Sequence, residues 1–259
     1  MRYQLWSKAS GRGCVFSLEA GMDDGVRNFD HHGQYSKNPS PCNDGRIQKA
    51  SDLNAAVEIT HIDADTFVGI LRLAGKSLPN IDLTLLEQID LKGSSVCPIK
   101  TNPTLCYSVG ITALARKLNF PRVSAEQWQD VTAIVEEMIS VPDTEIIEMG
   151  REAQTKSENS YFHCRKAVDG KVGFWAIGAQ DPLDPSRPYE DGVKIVVVYR
   201  NHYKTVSIYC DPKSQYAFAG KIVAGIEFAG HPKACSTPRG VEFSEDDALQ
   251  VFKEISKSL

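Results

Sequence analysis

The sequence predicts an α/β protein of two domains: an N-terminal, mostly parallel sheet with helices over residues 1–155, and a smaller C-terminal α+β domain over residues 160–259. Residues 56–75 have the pattern of a strand, a polar loop and a helix, as in open α/β sheets. After about residue 160 the pattern changes to successive strands followed by one terminal helix. The chain of 259 residues is long enough to bury two such cores.

The composition excludes several classes of protein. Charged residues make up 24% and hydrophobic residues 42% of the chain, and the mean hydropathy is −0.28, which is typical of a globular protein and not of a disordered or fibrous one. The 29 Lys and Arg residues against 33 Asp and Glu residues give a net charge of −4. We therefore expect no binding of long duplex nucleic acid, although a small nucleotide fits this charge.

The cysteines and the apolar segments indicate the cellular compartment of the protein. No apolar run approaches the roughly 18–20 residues that span a bilayer, and the first residues lack the apolar core of a signal peptide. The seven cysteines are an odd number without a Cys-x-x-Cys spacing, which argues against a disulfide framework and a zinc ribbon. We expect reduced, mostly buried thiols, no membrane partner and a cytoplasmic location.

The N-terminal half is predicted to begin with loops and one short strand over residues 14–18. Turn-forming residues follow up to residue 45. Residues 56–60 form a buried strand that ends at His61, and Asp65 or Thr66 caps a helix that stops at Gly75. Ligands of open α/β sheets gather at such carboxyl ends of strands.

Three further helices are predicted before the second domain, over residues 82–91, 105–118 and 125–139. In the last of them an apolar stripe at helical spacing is assigned to the core: Trp128, Val131, Val135 and Met138. A charged segment continues as a helix to about residue 153, and a linker over residues 155–160 then ends the first domain.

The C-terminal domain begins with a predicted strand over residues 172–177. Residues 194–199 and 205–209 form the two strands of a hairpin. A short helix over residues 217–223 and a loop over residues 225–240 follow. The last helix is capped by Ser244, with Asp247 three residues further on, and reaches about residue 256.

Two short clusters in the first half have the character of metal ligands. The first is Asp-His-His over residues 30–32, and the second is His61-x-Asp63-x-Asp65, where alternate residues at a strand end point the same way. One imidazole with two carboxylates suits Mn²⁺, Fe²⁺ or Mg²⁺. Together the clusters have enough ligands for two cations, the usual arrangement for phosphoester hydrolysis. Each cluster alone also fits a solvated loop or a strand-end histidine with a backbone partner.

A third cluster lies near the end of the chain, where residues 230–233 are Gly-His-Pro-Lys. Gly230 lets the backbone approach a ligand closely. His231 and Lys233 can hold a phosphate or a carboxylate, and Arg239 follows nearby. The alternative interpretation of this cluster is a plain Gly-Pro turn between two helices.

These three clusters resemble the DHH phosphoesterase superfamily. Residues 28–32 (Asn-Phe-Asp-His-His) are similar to the signature that gives the superfamily its name, and residues 60–65 (Thr-His-Ile-Asp-Ala-Asp) are similar to its first metal motif. Residues 228–234 (Phe-Ala-Gly-His-Pro-Lys-Ala) resemble the glycine-rich element of the associated DHHA1 substrate-binding domain, which the chain matches best over about 165–259. The order differs, because Asp-His-His here precedes the His…Asp-x-Asp motif. A circular permutation, a rebuilt catalytic domain or a chance match of one motif explains that order.

The resemblance implies a role for each of these residues. The implied metal ligands, for two Mn²⁺ or Mg²⁺ ions, are His31, His61, Asp63 and Asp65. Asp90 is the favoured further ligand among four candidate aspartates, the others being Asp23, Asp24 and Asp82. The implied catalytic residues are Asp30, which orients His31, then His31 itself, and His32 beside the substrate phosphate. The implied substrate-binding residues are Gly230, His231, Lys233 and Arg239.

The resemblance thus implies a divalent-metal-dependent phosphoesterase with a small phosphorylated substrate: a short single-stranded oligonucleotide, a cyclic dinucleotide, a nucleoside bisphosphate or pyrophosphate. An alternative is a nucleotide-binding or regulatory module of the same superfamily that has lost catalysis, which the reordered motifs motivate. A third hypothesis, a cysteine hydrolase using His163-Cys164 or Cys235, lacks an evident oxyanion device. The sequence is compatible with a homo-oligomer and does not fix the oligomeric state.

Overall fold

The chain divides into two compact units in a computed structural model, which describes residues 1–7, 10, 15–52, 54–121, 128–238 and 241–259. The first unit comprises Met1–Leu91 and Ile99–Glu152, and the second comprises Lys92–Pro98 and Ala153–Leu259. None of the helices in these described ranges is long and apolar enough to cross a membrane.

The first unit is built on a mixed sheet with the strand order β3-β2-β4-β1-β5. Its strands are β1 (Arg2–Leu5), β2 (Val15–Leu18), β3 (Asn28–Phe29), β4 (Ala56–Ile59) and β5 (Gln129–Asp130). The first four strands run parallel to one another, and β5 is antiparallel to β1. The α/β class with a mostly parallel N-terminal sheet is therefore confirmed.

The helices of the first unit are α1 (Ala64–Leu73), α2 (Leu83–Lys92), α3 (Pro103–Lys117) and α4 (Thr132–Ser140), and α5 (Asp143–His163) continues into the second unit. Helix α1 is buried on nearly every side, with Ile70 in the core of the sheet and Phe67 in the core shared with α3. Helices α3 and α5 cross closely at two glycines: a Cβ on Gly110 would lie 1.9 Å from the carbonyl oxygen of Ile146. Gly150 makes the matching approach to Cys106.

Three sequence predictions for this unit are wrong in detail. Helix α1 is capped by Asp63, whose side chain accepts from the backbone of Thr66, and not by Asp65 or Thr66. Helix α4 begins at Thr132 because residues 129–130 pair with β1, and Trp128 is 52% exposed although the rest of its stripe is buried. The predicted linker over residues 155–160 is part of helix α5.

The second unit contains a six-stranded sheet with the order β12-β13-β9-β8-β7-β6 and a separate two-stranded hairpin. Its strands are β6 (Arg165–Asp169), β7 (Val172–Ile177), β8 (Ile195–Arg200), β9 (Thr205–Cys210), β10 (Ile222–Val223), β11 (Ile226–Glu227), β12 (Ala229–His231) and β13 (Ala234–Ser236). Its remaining helices are α6 (Arg187–Glu190) and α7 (Glu245–Lys257). Helix α7 buries Val251 and Phe252 against the sheet.

The local predictions for the second unit are mostly confirmed. Strands β8 and β9 form the expected hairpin, and β7 has the predicted bounds. Ser244 and Asp247 form a reciprocal capping box at the start of α7. The predicted helix over residues 217–223 is wrong, because residues 222–223 instead form β10, which pairs with β11. The predicted loop over residues 225–240 holds strands β11, β12 and β13.

The six cysteines in the described ranges form no disulfide and are all buried, as predicted for reduced thiols. Cys14, at the start of the predicted strand over residues 14–18, lies outside the described residues.

Candidate metal centre

Three neighbouring parallel strands place polar side chains at one edge of the first sheet. Strands β3, β2 and β4 are adjacent in that order, so their carboxyl ends lie side by side. Residues 30–32 follow β3, Glu19 follows β2, and His61 and Asp63 follow β4. This edge is where ligands bind in open α/β sheets, and here the fold brings the two predicted clusters together.

Glu19 lies at the middle of this group and joins its two halves. Its Oε1 is 2.8 Å from Nε2 of His31, and its Oε2 is 3.4 Å from Nε2 of His61. Thr66 donates a hydrogen bond to Oε2. The side chain is buried, and its φ of 53° lies in the left-handed region that few residues other than glycine adopt. No sequence motif predicts Glu19, because one glutamate after a strand belongs to no spaced pattern.

The backbone of Glu19 is held on both sides. Its N–H donates to the carbonyl oxygen of Phe29 at 2.9 Å, and its own carbonyl oxygen accepts from Thr60 Oγ1 at 2.9 Å. Strands β3 and β4 therefore fix the unusual backbone conformation that directs this carboxylate. Conformational strain of this kind persists where surrounding contacts determine it, often at functional sites.

The most buried part of the centre consists of Glu19, His31, Asp65 and Asp90, whose ligand atoms lie within 4.8 Å of one another. Nε2 of His31 is 3.6 Å from Oδ2 of Asp65 and 3.4 Å from Oδ2 of Asp90. Both of these Oδ2 atoms and Nδ1 of His31 are buried without a hydrogen-bond partner. Buried polar atoms rarely lack partners, so this part of the centre is suited to a bound cation.

Crowding of carboxylates shifts the pKa values in this part of the centre. Burial, followed by the charges of Glu19 and Asp90, raises the pKa of Asp65 well above its usual value. Burial and the charges of Asp63 and Glu19 raise the pKa of Asp90 to about 7. At Asp90, burial and the neighbouring carboxylates thus outweigh the opposing charge of His31, and a divalent cation would add positive charge where these carboxylates crowd together.

The second part of the centre consists of Glu19, His61 and Asp63, again within 4.8 Å of one another. Asp63 is held as the cap of helix α1, and its Oδ2 lies 3.2 Å from Nε2 of His61. Burial opposes the charge on His61, but Asp63 and Glu19 outweigh it and raise the pKa of His61 to about 10. Because Glu19 belongs to both parts, its two oxygens can each serve a different cation.

Asp30 and His32 form a pair beside these groups. Oδ1 of Asp30 accepts from the backbone N–H of His32 at 2.6 Å and lies 3.1 Å from its Nδ1, while Oδ2 accepts from Gly21. Asp30 thus orients His32, whereas the resemblance implied that it orients His31. Since an ionised carboxylate only accepts, Nδ1 of His32 carries the proton in this contact.

The other three candidate aspartates have structural partners instead. Asp23 pairs with Arg46 at 2.9 Å, Asp24 accepts from three backbone N–H groups over residues 26–28, and Asp82 accepts from the N–H of Leu85 at the start of α2. Asp90, the favoured candidate, is placed in the centre.

The predicted substrate-binding residues lie in the hairpin of β12 and β13 in the second unit. Nζ of Lys233 donates to the carbonyl oxygens of Ser214 at 2.5 Å and Tyr216 at 2.9 Å. Gly230 has a φ of 134°, and a Cβ there would lie 2.8 Å from the carbonyl oxygen of Ala234, so the hairpin requires glycine. His231 ends β12, and Arg239 lies outside the described residues. The alternative of a Gly-Pro turn between two helices is wrong, since two strands flank it.

Comparisons with known proteins give structural similarities at low sequence identity. No family model matches the chain, and no curated protein matches it. A pGpG-specific phosphodiesterase, PggH from Vibrio cholerae, is similar at 13% identity with a TM-score of 0.43, over 92% of this chain and 89% of that chain.

Two further solved structures are similar at lower TM-scores. RecJ from Thermus thermophilus, in complex with Mg²⁺, has 13% identity and a TM-score of 0.34, over 75% of this chain and 38% of RecJ. An exopolyphosphatase-related protein from Bacteroides fragilis has 9% identity and a TM-score of 0.33, over 89% of this chain and 63% of that chain. Similarity at this level does not assign an activity.

Proposed function

We propose that the chain is a divalent-metal-dependent phosphoesterase of the DHH type that hydrolyses a small phosphorylated substrate. The observation that carries this proposal is the buried group of Glu19, His31, Asp65 and Asp90, in which three polar atoms lack a hydrogen-bond partner. Carboxylate and imidazole donors without thiolate suit Mn²⁺ or Mg²⁺. The first unit, close to the predicted boundaries 1–155, would be the catalytic domain.

The proposed cations are held by two sets of ligands that share Glu19. His31, Asp65 and Asp90 would hold one cation, and His61 and Asp63 the other. A pair of divalent cations lowers the pKa of a bound water and offsets the negative charge of the phosphoryl oxygens. Asp63 is held in place as the cap of helix α1. Asp65 lies in the first turn of that helix and accepts from the N–H of Cys42 at 2.6 Å.

His32 is the proposed acid or phosphate ligand. Asp30 holds its Nδ1, so Nε2 is the nitrogen that exchanges a proton or hydrogen bond with the substrate. The side chain of His32 is 36% exposed, whereas that of His31 is fully buried, and a substrate can therefore reach His32. These two adjacent histidines thus have different proposed roles: His31 binds metal and His32 contacts phosphate.

The second unit, close to the predicted boundaries 160–259, is the proposed substrate-binding domain of the DHHA1 type. Gly230, His231 and Lys233 remain the proposed contacts for a terminal phosphate, with Arg239 as a further one. Lys233 has three donors and uses two of them on carbonyl oxygens, which leaves one for a ligand. The oligonucleotide, cyclic dinucleotide, nucleoside bisphosphate and pyrophosphate remain the proposed substrates, and the cytoplasmic location stays a prediction.

The test is hydrolysis of bis-p-nitrophenyl phosphate by metal-stripped protein with and without Mn²⁺. We expect turnover only with Mn²⁺, and a loss of about 100-fold or more in His61→Ala, Asp63→Ala and Asp65→Asn. Asp82→Asn is the matched control, because that exposed carboxylate only caps helix α2. Metal-independent turnover, or full activity of both His61→Ala and Asp63→Ala, would contradict the proposal.

The same experiment separates the other hypotheses. Stoichiometric Mn²⁺ and nucleotide binding without turnover would support the catalytically inactive module that the reordered motifs motivate. The cysteine hydrolase has little support, because Cys164 and Cys235 are buried and burial raises the pKa of Cys235 to about 11. Full activity after thiol alkylation would exclude it.

A further inference from the structure

A second group of candidate metal-ligating side chains lies in the second unit and shares no residue with the candidate metal centre. It consists of His163 at the end of helix α5, Cys164 directly after it, and Asp181 in the turn that follows strand β7. Their ligand atoms lie within 4.8 Å of one another. The sequence brings only two of the three together, and the turn over residues 178–181 adds the third.

The imidazole of His163 is held in one tautomer. Its Nδ1 lies 2.7 Å from the carbonyl oxygen of Asn159, and a carbonyl oxygen only accepts, so Nδ1 donates. In the neutral ring Nε2 then carries a lone pair, which lies 3.2 Å from Oδ1 of Asp181. Two acceptors at this distance need a proton or a cation between them. Metal-binding histidines commonly donate their other nitrogen to a carbonyl in this way.

Asp181 and Cys164 are oriented by contacts of their own. Oδ2 of Asp181 accepts from the N–H of Gly178 at 3.1 Å, so that Oδ1 is the oxygen presented to His163. A Cβ on residue 178 would lie 2.8 Å from Oδ2, which explains glycine at that position. The carbonyl oxygen of Cys164 accepts from the N–H of Ala176 at 3.2 Å, which ties Cys164 to strand β7.

The local charge also favours a cation. Helix α5 has 21 residues and ends at His163, so the negative end of its dipole lies beside the group. Burial, followed by the charge of Asp181, raises the pKa of the Cys164 thiol against the opposing charge of Lys166, so a thiolate formed beside Asp181 would be stabilised by a bound cation. The side chains of His163 and Asp181 are 58% and 34% exposed, so an ion can enter from solvent.

We propose that His163, Cys164 and Asp181 bind a thiophilic divalent cation of the zinc class. One thiolate, one imidazole and one carboxylate are ligands that Zn²⁺ accepts, and three protein ligands leave a fourth position open. The thiolate distinguishes this site from the oxygen-rich centre of the first unit, where hard cations are expected. The cation would connect the end of helix α5 to the turn after β7.

Co²⁺ titration of the reduced full chain tests this site, with the thiolate-to-cobalt charge-transfer band as a readout that does not depend on activity. At saturation we expect one band-forming Co²⁺ per chain, and we expect Zn²⁺ to displace it. Cys164→Ser should abolish the band, and His163→Gln and Asp181→Asn should weaken Co²⁺ binding by about 10-fold or more. His163→Gln changes an exposed side chain, so folding of this variant is not at issue.

Two control variants make the result specific. Cys42→Ser removes the thiol beside Asp65 in the first unit and should keep the band. His202→Gln removes an exposed histidine of the same unit and should keep both the band and the affinity. Absence of the band in the wild-type protein, or its persistence in Cys164→Ser, would overturn the proposal and leave His163 and Asp181 as an ion pair only.

Discussion

Two regions of the molecule carry the predicted polar clusters: the candidate metal centre of the first unit and the β12–β13 hairpin of the second unit. They differ in hydrogen bonding, because the described residues include buried polar atoms without a hydrogen-bond partner in the centre. In the centre, Asp65 and Asp90 each have a buried oxygen with no hydrogen-bond partner. In the hairpin, Lys233 donates to two carbonyl oxygens that the fold presents to it. The sequence motifs alone do not show this difference.

The difference has a direct energetic meaning. A buried charge without a partner destabilises the folded state by several kcal/mol. Proteins therefore retain such a charge mainly where a bound ligand pairs with it. A charge that already has partners stabilises the fold with or without a ligand. The oxygens of the first unit that lack hydrogen-bond partners therefore suit a cation, whereas Lys233 makes its two contacts without any substrate.

Glu19→Gln gives the largest expected effect, because Glu19 is the one residue common to both parts of the centre in the described chain. The amide has the same shape but one acceptor fewer and no charge. We expect Mn²⁺ affinity and Mn²⁺-dependent phosphodiester hydrolysis to fall by about 100-fold or more, measured by calorimetry and steady-state kinetics. Glu58→Gln, a buried glutamate of strand β4, is the matched control and should retain activity. Wild-type Mn²⁺ affinity in Glu19→Gln would remove Glu19 from the ligand set.

Asp90→Asn should stabilise the metal-free protein. The folded-state pKa of Asp90 is raised to about 7, so its ionised form destabilises the folded state. The gain should be absent below about pH 4, grow as the pH rises to about 7 and then stay constant, at on the order of 2 kcal/mol in denaturant unfolding. Saturating Mn²⁺ should reverse the order of stability, because the wild type keeps the ligand.

Asp211→Asn in the second unit is the opposite case and the control for Asp90. Burial opposes ionisation of Asp211, but Lys194, 2.7 Å away, outweighs it and lowers the pKa of this carboxyl. Its stabilising contribution is present above the unfolded pKa and is lost as the pH falls. We therefore expect Asp211→Asn to destabilise by about 1 kcal/mol at pH 7. Equal signs for Asp90→Asn and Asp211→Asn would contradict the contrast between the units.

Lys233→Met tests whether Lys233 has a structural role. Loss of its hydrogen bonds to Ser214 and Tyr216 should lower the free energy of unfolding by about 1–2 kcal/mol without any ligand present. Lys213→Met changes an exposed lysine of the same segment and should leave stability unchanged. An unchanged stability of Lys233→Met, combined with a raised KM, would show that the side chain serves the substrate alone.

Asp24→Asn should have the smallest effect. This carboxylate accepts from backbone N–H groups over residues 26–28, which lowers its pKa against the opposing effect of burial. Asparagine keeps one acceptor oxygen, so we expect a loss of about 1 kcal/mol or less in thermal unfolding and unchanged Mn²⁺-dependent activity. A large loss of activity would instead indicate that Asp24 is a metal ligand in addition to Asp90.

Local sequence patterns predicted the elements whose contacts are local. The β8–β9 hairpin, the capping box of Ser244 and Asp247, and the strand that ends before His61 depend on residues close together in the chain. The same holds for His61, Asp63 and Asp65, which lie between the end of strand β4 and the first turn of helix α1. Periodicity and capping residues are local properties, and they specify such elements without tertiary information.

Tertiary structure decided the features that depend on pairing between distant segments. Helix α4 starts late because residues 129–130 pair with β1, and that pairing leaves Trp128 exposed. The order β3-β2-β4 places Glu19 between the two predicted clusters, and helix α2 brings in Asp90 in preference to three other aspartates.

The sequence by itself therefore determined the types of the candidate ligands and the strand ends at which two of their clusters lie. The fold alone determined which of those side chains lie within 4.8 Å of one another and which lack partners. The physical reason is that a buried carboxylate without a partner is a property of packing between strands and helices distant in sequence, and periodicity along one segment does not contain it.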